Sequence, residues 1–133
     1  MTTIILCSLN DHEHCQGTVY TMTVQRCKDV PSLDFLVPTK ALVFGHKHFC
    51  GDARFAGYPQ VSDEQYVTGY RELIKPRLNR IAVWYTGLPL SNEHVLTLCC
   101  YCRRGEFCHR QLVYKLLLWL NRKLHLTHVV ELY

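Results

Sequence analysis

No stretch of this 133-residue sequence is apolar for long enough to cross a bilayer, because Lys115 and Asn121 interrupt the C-terminal apolar run. A helical membrane anchor is therefore not expected, nor is a membrane partner. The sequence also lacks an internal repeat, a low-complexity tract and a Gly/Ser-rich linker. One domain spanning residues 1–133 is the expectation, long enough for a hydrophobic core of its own. Charge of one sign is scarce as well. A formal net charge of +4 does not make the dense basic field of a protein that coats nucleic acid. It does leave room for a phosphate-bearing small molecule, with nucleic acid as a lesser candidate partner. The N-terminus has no basic start, and its apolar run, Ile4 to Leu6, is too short for a secretory signal. An intracellular, cytoplasmic protein with reduced thiols is expected.

Cysteine and histidine, eight of each, are abundant by comparison. The cysteines cluster instead of spreading as a disulfide framework, which points to catalysis, metal binding or simple burial. The densest stretch is Cys99-Cys100-Tyr101-Cys102-Arg103-Arg104-Gly105-Glu106-Phe107-Cys108-His109-Arg110. A strand-like run, Val95 to Leu98, leads into it, and a helix-like run, Leu112 to Leu120, follows. Open α/β folds put reactive and anion-binding groups at such a place, where a strand ends and a helix begins.

The rest of the chain fits that class. Thr3 to Leu9 and Val19 to Val24 read as strands, and His128 to Leu132 as a last one. Thr39 to Lys47 suits a short helix or a strand, and His46 to Pro59 reads as a long loop. Ser62 and Gln65 form a capping box for a helix that puts Tyr66, Tyr70, Leu73 and Ile74 on one face. Pro76 should kink or restart it. Ile81 to Tyr85 fits either a continued helix or a strand. Along the strand Val95 to Cys102, Cys100 and Cys102 point to one face and Cys99 to the other. The wide apolar arc after Leu112 suits packing against a sheet. The strand-helix-strand order at the C-terminus implies a crossover to a parallel neighbour. The expected fold is α/β, a single three-layer domain with a mainly parallel sheet flanked by helices.

A cysteine at a helix start, beside His109 and Arg110, should have its pKa pulled below that of a free thiol. Cys108 is thus a candidate nucleophile, His109 a candidate acid or base near neutral pH, and Arg110 a candidate clamp for an anion. Arg103 and Arg104 add positive charge beside it. A phosphatase loop, Cys-x5-Arg, is excluded, because the position six after Cys102 is Cys108. The same residues allow a second reading. Cys100, Cys102, Cys108 and His109 offer soft ligands for zinc or an iron–sulfur cluster, although Cys-x-Cys-x5-Cys-His is not a common zinc spacing. A fourth ligand could also come from His12, His14 and Cys15, or from His46, His48 and Cys50. Against both stands simple burial, the expectation for Cys99 and Cys100 as strand core and for Cys7 and Cys27 as packing.

The segment Leu96-Thr97-Leu98-Cys99-Cys100-Tyr101-Cys102, then Cys108-His109-Arg110-Gln111-Leu112-Val113, resembles that of the family called domain of unknown function 488. Pro38-Thr39 with Lys47, and Tyr66 with Tyr70, are similar to that family's proline–lysine segment and paired tyrosines. The resemblance implies a small α/β fold with a site at the Cys-His-Arg segment. Lys47 and Tyr66 would then join the ligand contacts.

Overall fold

A computed structural model describes residues 1–11, 13–91, 93–102 and 106–133. The fold is α/β. Four strands form one all-parallel sheet: β1 (Thr3–Ser8), β2 (Thr18–Thr21), β3 (Val95–Cys100) and β4 (Val129–Leu132), in the order β2-β3-β1-β4. β1 and β3 are the inner pair, with Thr3 beside Val95 and Ser8 beside Cys100. Both read as near-continuous apolar runs because both of their faces are covered.

The helices flanking the sheet are α1 (Lys40–Phe49), α2 (Asp63–Ile74), α3 (Leu78–Thr86) and α4 (His109–Lys123). Local chemistry fixes their starts. Thr39 caps α1 by accepting the Leu42 N–H at 3.2 Å. Ser62 and Gln65 complete the expected capping box on α2. Pro76 sits in a 3-10 turn, Lys75–Arg77, and a new helix starts beyond it. The ambiguous Ile81 to Tyr85 run is therefore helix α3, with Ile81 and Tyr85 buried one turn apart.

The core joins one sheet face, Ile4, Leu6, Leu96 and Leu98, to Tyr66, Tyr70, Ile81, Tyr85, Val113, Leu117 and Leu120 of the helices. Tyr70 adds a hydrogen bond to the Leu36 carbonyl at 2.6 Å. On the opposite face the covering layer over Cys7 and Thr97 is the segment between β1 and β2. Cys15 lies 3.7 Å from Cys7, and the Gln16 backbone both donates to and accepts from the Thr97 hydroxyl. Gly17 follows with φ +65°, and a Cβ there would come within 1.9 Å of the Val95 carbonyl oxygen. Only glycine permits that approach, so Gly17 lets the segment lie flat on β3.

Three expectations shift. The expected loop from His46 begins inside α1, because the helix continues to Phe49. β3 stops at Cys100, two residues early, where the chain turns toward α4. The crossover through α4 does reach a parallel strand, but β4 pairs with β1 and not with β3.

Candidate functional site

The carboxyl ends of β2 and β3, the last turns of α1 and the start of α4 enclose a cavity of about 160 Å3. Cys100 and Cys102 come from the end of β3, and Cys108 and His109 from the start of α4. His46 and Lys47 come from α1, Tyr66 from α2, and Thr23 and Gln25 from the chain just past β2. The parallel sheet explains the convergence. Strands that run the same way release their chains at the same edge, and the following segments meet there.

Cys108 is the N-cap of α4. Its sulfur accepts the Arg110 N–H at 3.5 Å, while Gln111 accepts the Cys108 N–H at 3.1 Å and completes a capping box. A cap normally made by a hydroxyl or carboxylate is made here by sulfur. Arg110 turns inward from the next residue but one. Its Nη1 donates to Cys100 Sγ at 3.1 Å and to the Cys102 carbonyl at 3.0 Å, and the residue is 1% exposed. The sulfurs of Cys100 and Cys108 are 3.1 Å apart. Those of Cys100, Cys102 and Cys108 all lie within 4.8 Å of one another.

These contacts redistribute the expected chemistry. The thiols of Cys102 and Cys108 beside it, and then the Arg110 guanidinium, hold the Cys100 pKa well below the usual thiol range and outweigh its burial. Cys108 moves up for the complementary reason: it is hydrogen-bonded to Cys100 and Cys102 and is itself buried. Of the three thiols only Cys100 is shifted down, and the guanidinium lies against it. The helix start does touch Cys108, but a single 3.5 Å N–H contact does not outweigh a neighbouring thiolate. The expectation of a lowered Cys108 pKa is thus reversed.

His109 is also different from expectation. Burial lowers its pKa to about 4, so it is neutral near pH 7. Its Nε2 lies 2.8 Å from the Met22 carbonyl, which can only accept, so the proton is on Nε2. Nδ1 then presents a lone pair toward Cys108 Sγ at 3.5 Å. Arg110, expected to clamp a ligand, is turned inward against Cys100 and Cys102 and binds the two ends of the β3–α4 connection together.

Lys47 and Tyr66 both line the cavity. Lys47 Nζ lies 5.5 Å from the centre of the Phe55 ring. Tyr66 packs edge-on against Phe107, and burial raises its pKa, so it stays a phenol. Arg103 and Arg104 lie outside the described residues, as does His12. Among the described residues, the group close enough to share one metal ion is Cys100, Cys102 and Cys108, without His109. The other candidate ligands have partners elsewhere. His14 pairs with Asp11 at 2.8 Å, Cys15 sits against Cys7, and His48 meets the Tyr58 carbonyl. Cys50 lies 3.8 Å from His46.

His46, expected only as one of several possible fourth ligands, lines the same cavity. Its Nε2 meets Asp63 at 2.6 Å, and its ring packs against Phe107. The signal for it was the helical spacing Thr39 to Lys47, which brings His46 and Lys47 to the end of α1.

Comparison with known proteins yields a family match. The family model DUF488-N3a, described as the active DUF488-N3 subclade, matches residues 36–120. That span carries Lys47, Tyr66 and the whole run from Cys99 to Arg110. No curated protein and no solved structure matches the chain.

Proposed function

The chain belongs to the DUF488 family, in its N3a subclade, and from that premise we propose that it is a cysteine-nucleophile enzyme acting on a phosphate-bearing small molecule. One observation carries the reading: a buried guanidinium lies 3.1 Å from the sulfur of Cys100, and Cys100 lines the cavity. A cation held at a buried sulfur stabilises it as a thiolate, and the thiolate is the reactive form. The description of the subclade as active fits an enzyme.

In this reading Cys100 attacks an electrophilic centre in the cavity. Its sulfur forms the new bond as the bond to the leaving group breaks. The leaving group departs with the electron pair and takes the proton of the Cys108 thiol. His109 orients that thiol through Nδ1, and Tyr66 and Phe107 exclude water. A cavity of about 160 Å3 matches the size known to hold one benzene ring. Only the reacting group of a nucleotide or nucleoside derivative fits inside it. The phosphate stays outside, next to Lys47, which supplies positive charge from the lining of the cavity.

The test is alkylation by iodoacetamide at about pH 6, where ordinary thiols are almost wholly protonated, mapped by peptide mass spectrometry. Cys100 is expected to react first, and nucleoside monophosphates to protect it, less so in Lys47→Ala. If Cys100 reacts no faster than Cys27, the nucleophile reading fails.

A second reading has its own observation. Three sulfurs within 4.8 Å of one another suit a metal ion with one position open to the cavity. Three thiolates around a dication leave one negative charge, which Arg110 would balance. Elemental analysis of anaerobically purified protein decides between the two. One zinc or iron per chain, lost in Cys102→Ser, supports the metal site; a folded, metal-free protein excludes it.

A further inference from the structure

We propose that Cys100 and Cys108 form a dithiol–disulfide couple, so that the reaction at this site is a two-electron reduction of a disulfide-type sulfur. The inference rests on the nucleophile reading above and adds its reaction class. Three observations lead to it. The two sulfurs are 3.1 Å apart, already in contact and needing only about a further ångström to bond. Both residues line the cavity, so an adduct on Cys100 forms beside Cys108. The two residues also enter from different elements, the end of β3 and the N-cap of α4, so no shared strand or helix fixes one sulfur relative to the other.

The steps balance as follows. Cys100 thiolate attacks one sulfur of R–S–S–R′; the Cys100–S bond forms, and R′–S⁻ leaves with the electron pair. R′–S⁻ takes the proton of the Cys108 thiol. Cys108 thiolate then attacks Cys100 Sγ; the Cys100–Cys108 bond forms, and R–S⁻ leaves and is protonated by solvent. The substrate gains two electrons and the protein loses two. A low-molecular-weight dithiol supplied as co-reactant reduces the protein again. In a simple transferase Cys108 would do no more than give its proton to the leaving group. That thiol would cleave the covalent intermediate whenever the bound atom was sulfur.

The replacement that tests this keeps the fold. Cys108 is the cap of α4, and serine is among the best capping residues, so Cys108→Ser removes the thiol and keeps the cap. The probe is dithiodipyridine, one of whose two pyridyl rings suits the cavity and whose released thiopyridone is read by absorbance. With one equivalent of probe, the wild-type chain is expected to release two thiopyridones and to carry a mapped Cys100–Cys108 disulfide. Cys108→Ser should release one and keep the pyridyl adduct on Cys100, while Cys102→Ser, at whatever rate, should still release two and carry the Cys100–Cys108 disulfide. A stable adduct on Cys100 of the wild-type chain overturns the couple but leaves Cys100 as the nucleophile. Trapping in Cys102→Ser but not in Cys108→Ser also overturns it. No probe on Cys100 in any variant overturns the nucleophile reading itself, and the couple with it.

Discussion

Cys99 and Cys100 are adjacent in β3 and equally buried, yet they belong to two different chemical environments. Cys99 faces the side of the sheet covered by the segment after β1. Its sulfur meets the Tyr20 carbonyl at 3.3 Å, and burial pushes its pKa up to about 12. Cys7, its partner across the sheet, is raised in the same way, again mainly by burial. Cys100 faces the helices, where two thiols and one guanidinium pull it down. Burial alone makes a thiol inert. The same burial around a cation makes a thiolate, because the low-dielectric surroundings that penalise a lone charge strengthen its attraction to a partner.

Removing the cation should narrow the contrast, leaving the Cys102 and Cys108 hydrogen bonds alone to offset the burial of Cys100. In Arg110→Met, alkylation of Cys100 at about pH 6 is expected to slow on the order of 100-fold, toward the rate of an ordinary buried thiol. Rate constants mapped to individual cysteines measure it. A rate within a factor of about 3 of wild type would mean that the guanidinium does not set the reactivity.

His109 gives the next largest effect. Its folded pKa, about 4, lies below its ordinary 6.5. The unfolded chain therefore binds the proton first. The contribution to stability is complete above about pH 6.5 and is lost as the pH falls toward 4, about 3 kcal/mol in total. Urea unfolding across that range should show the loss, and His109→Gln, which can still donate to Met22, should flatten it. An unchanged slope in the variant would remove His109 from the account.

The smallest effects belong to the inert face. Cys15→Ala loses one sulfur contact with Cys7 and should cost less than about 1 kcal/mol, with Cys100 alkylation unchanged. Any large change in that rate would show that the two faces are coupled and would weaken the contrast.

Much of the fold was legible because its signals are local. The capping box at Ser62, the restart at Pro76 and the apolar arc of α4 each depend on a few neighbouring residues. The parallel sheet followed from strand–helix order. The strand order did not, since nothing within β4 says that it pairs with β1 instead of β3. That Cys100, Cys102, Cys108 and His109 come together at one cavity was legible; which thiol is shifted down was not. Helix-start logic favoured Cys108. The deciding contact, Arg110 to Cys100, spans ten residues and depends on which way the guanidinium turns. His109 looked like a proton carrier for the same reason: its burial against Met22 joins segments 87 residues apart.

The sulfur cap on α4 ties the chemistry to the architecture. α4 is the longest helix, 15 residues, and its apolar face packs on the sheet core. Its first turn is terminated by the atom that sits against the Cys100 sulfur. Whenever Cys108 exchanges its proton or its bonding partner, the strength of the acceptor that caps the helix changes with it.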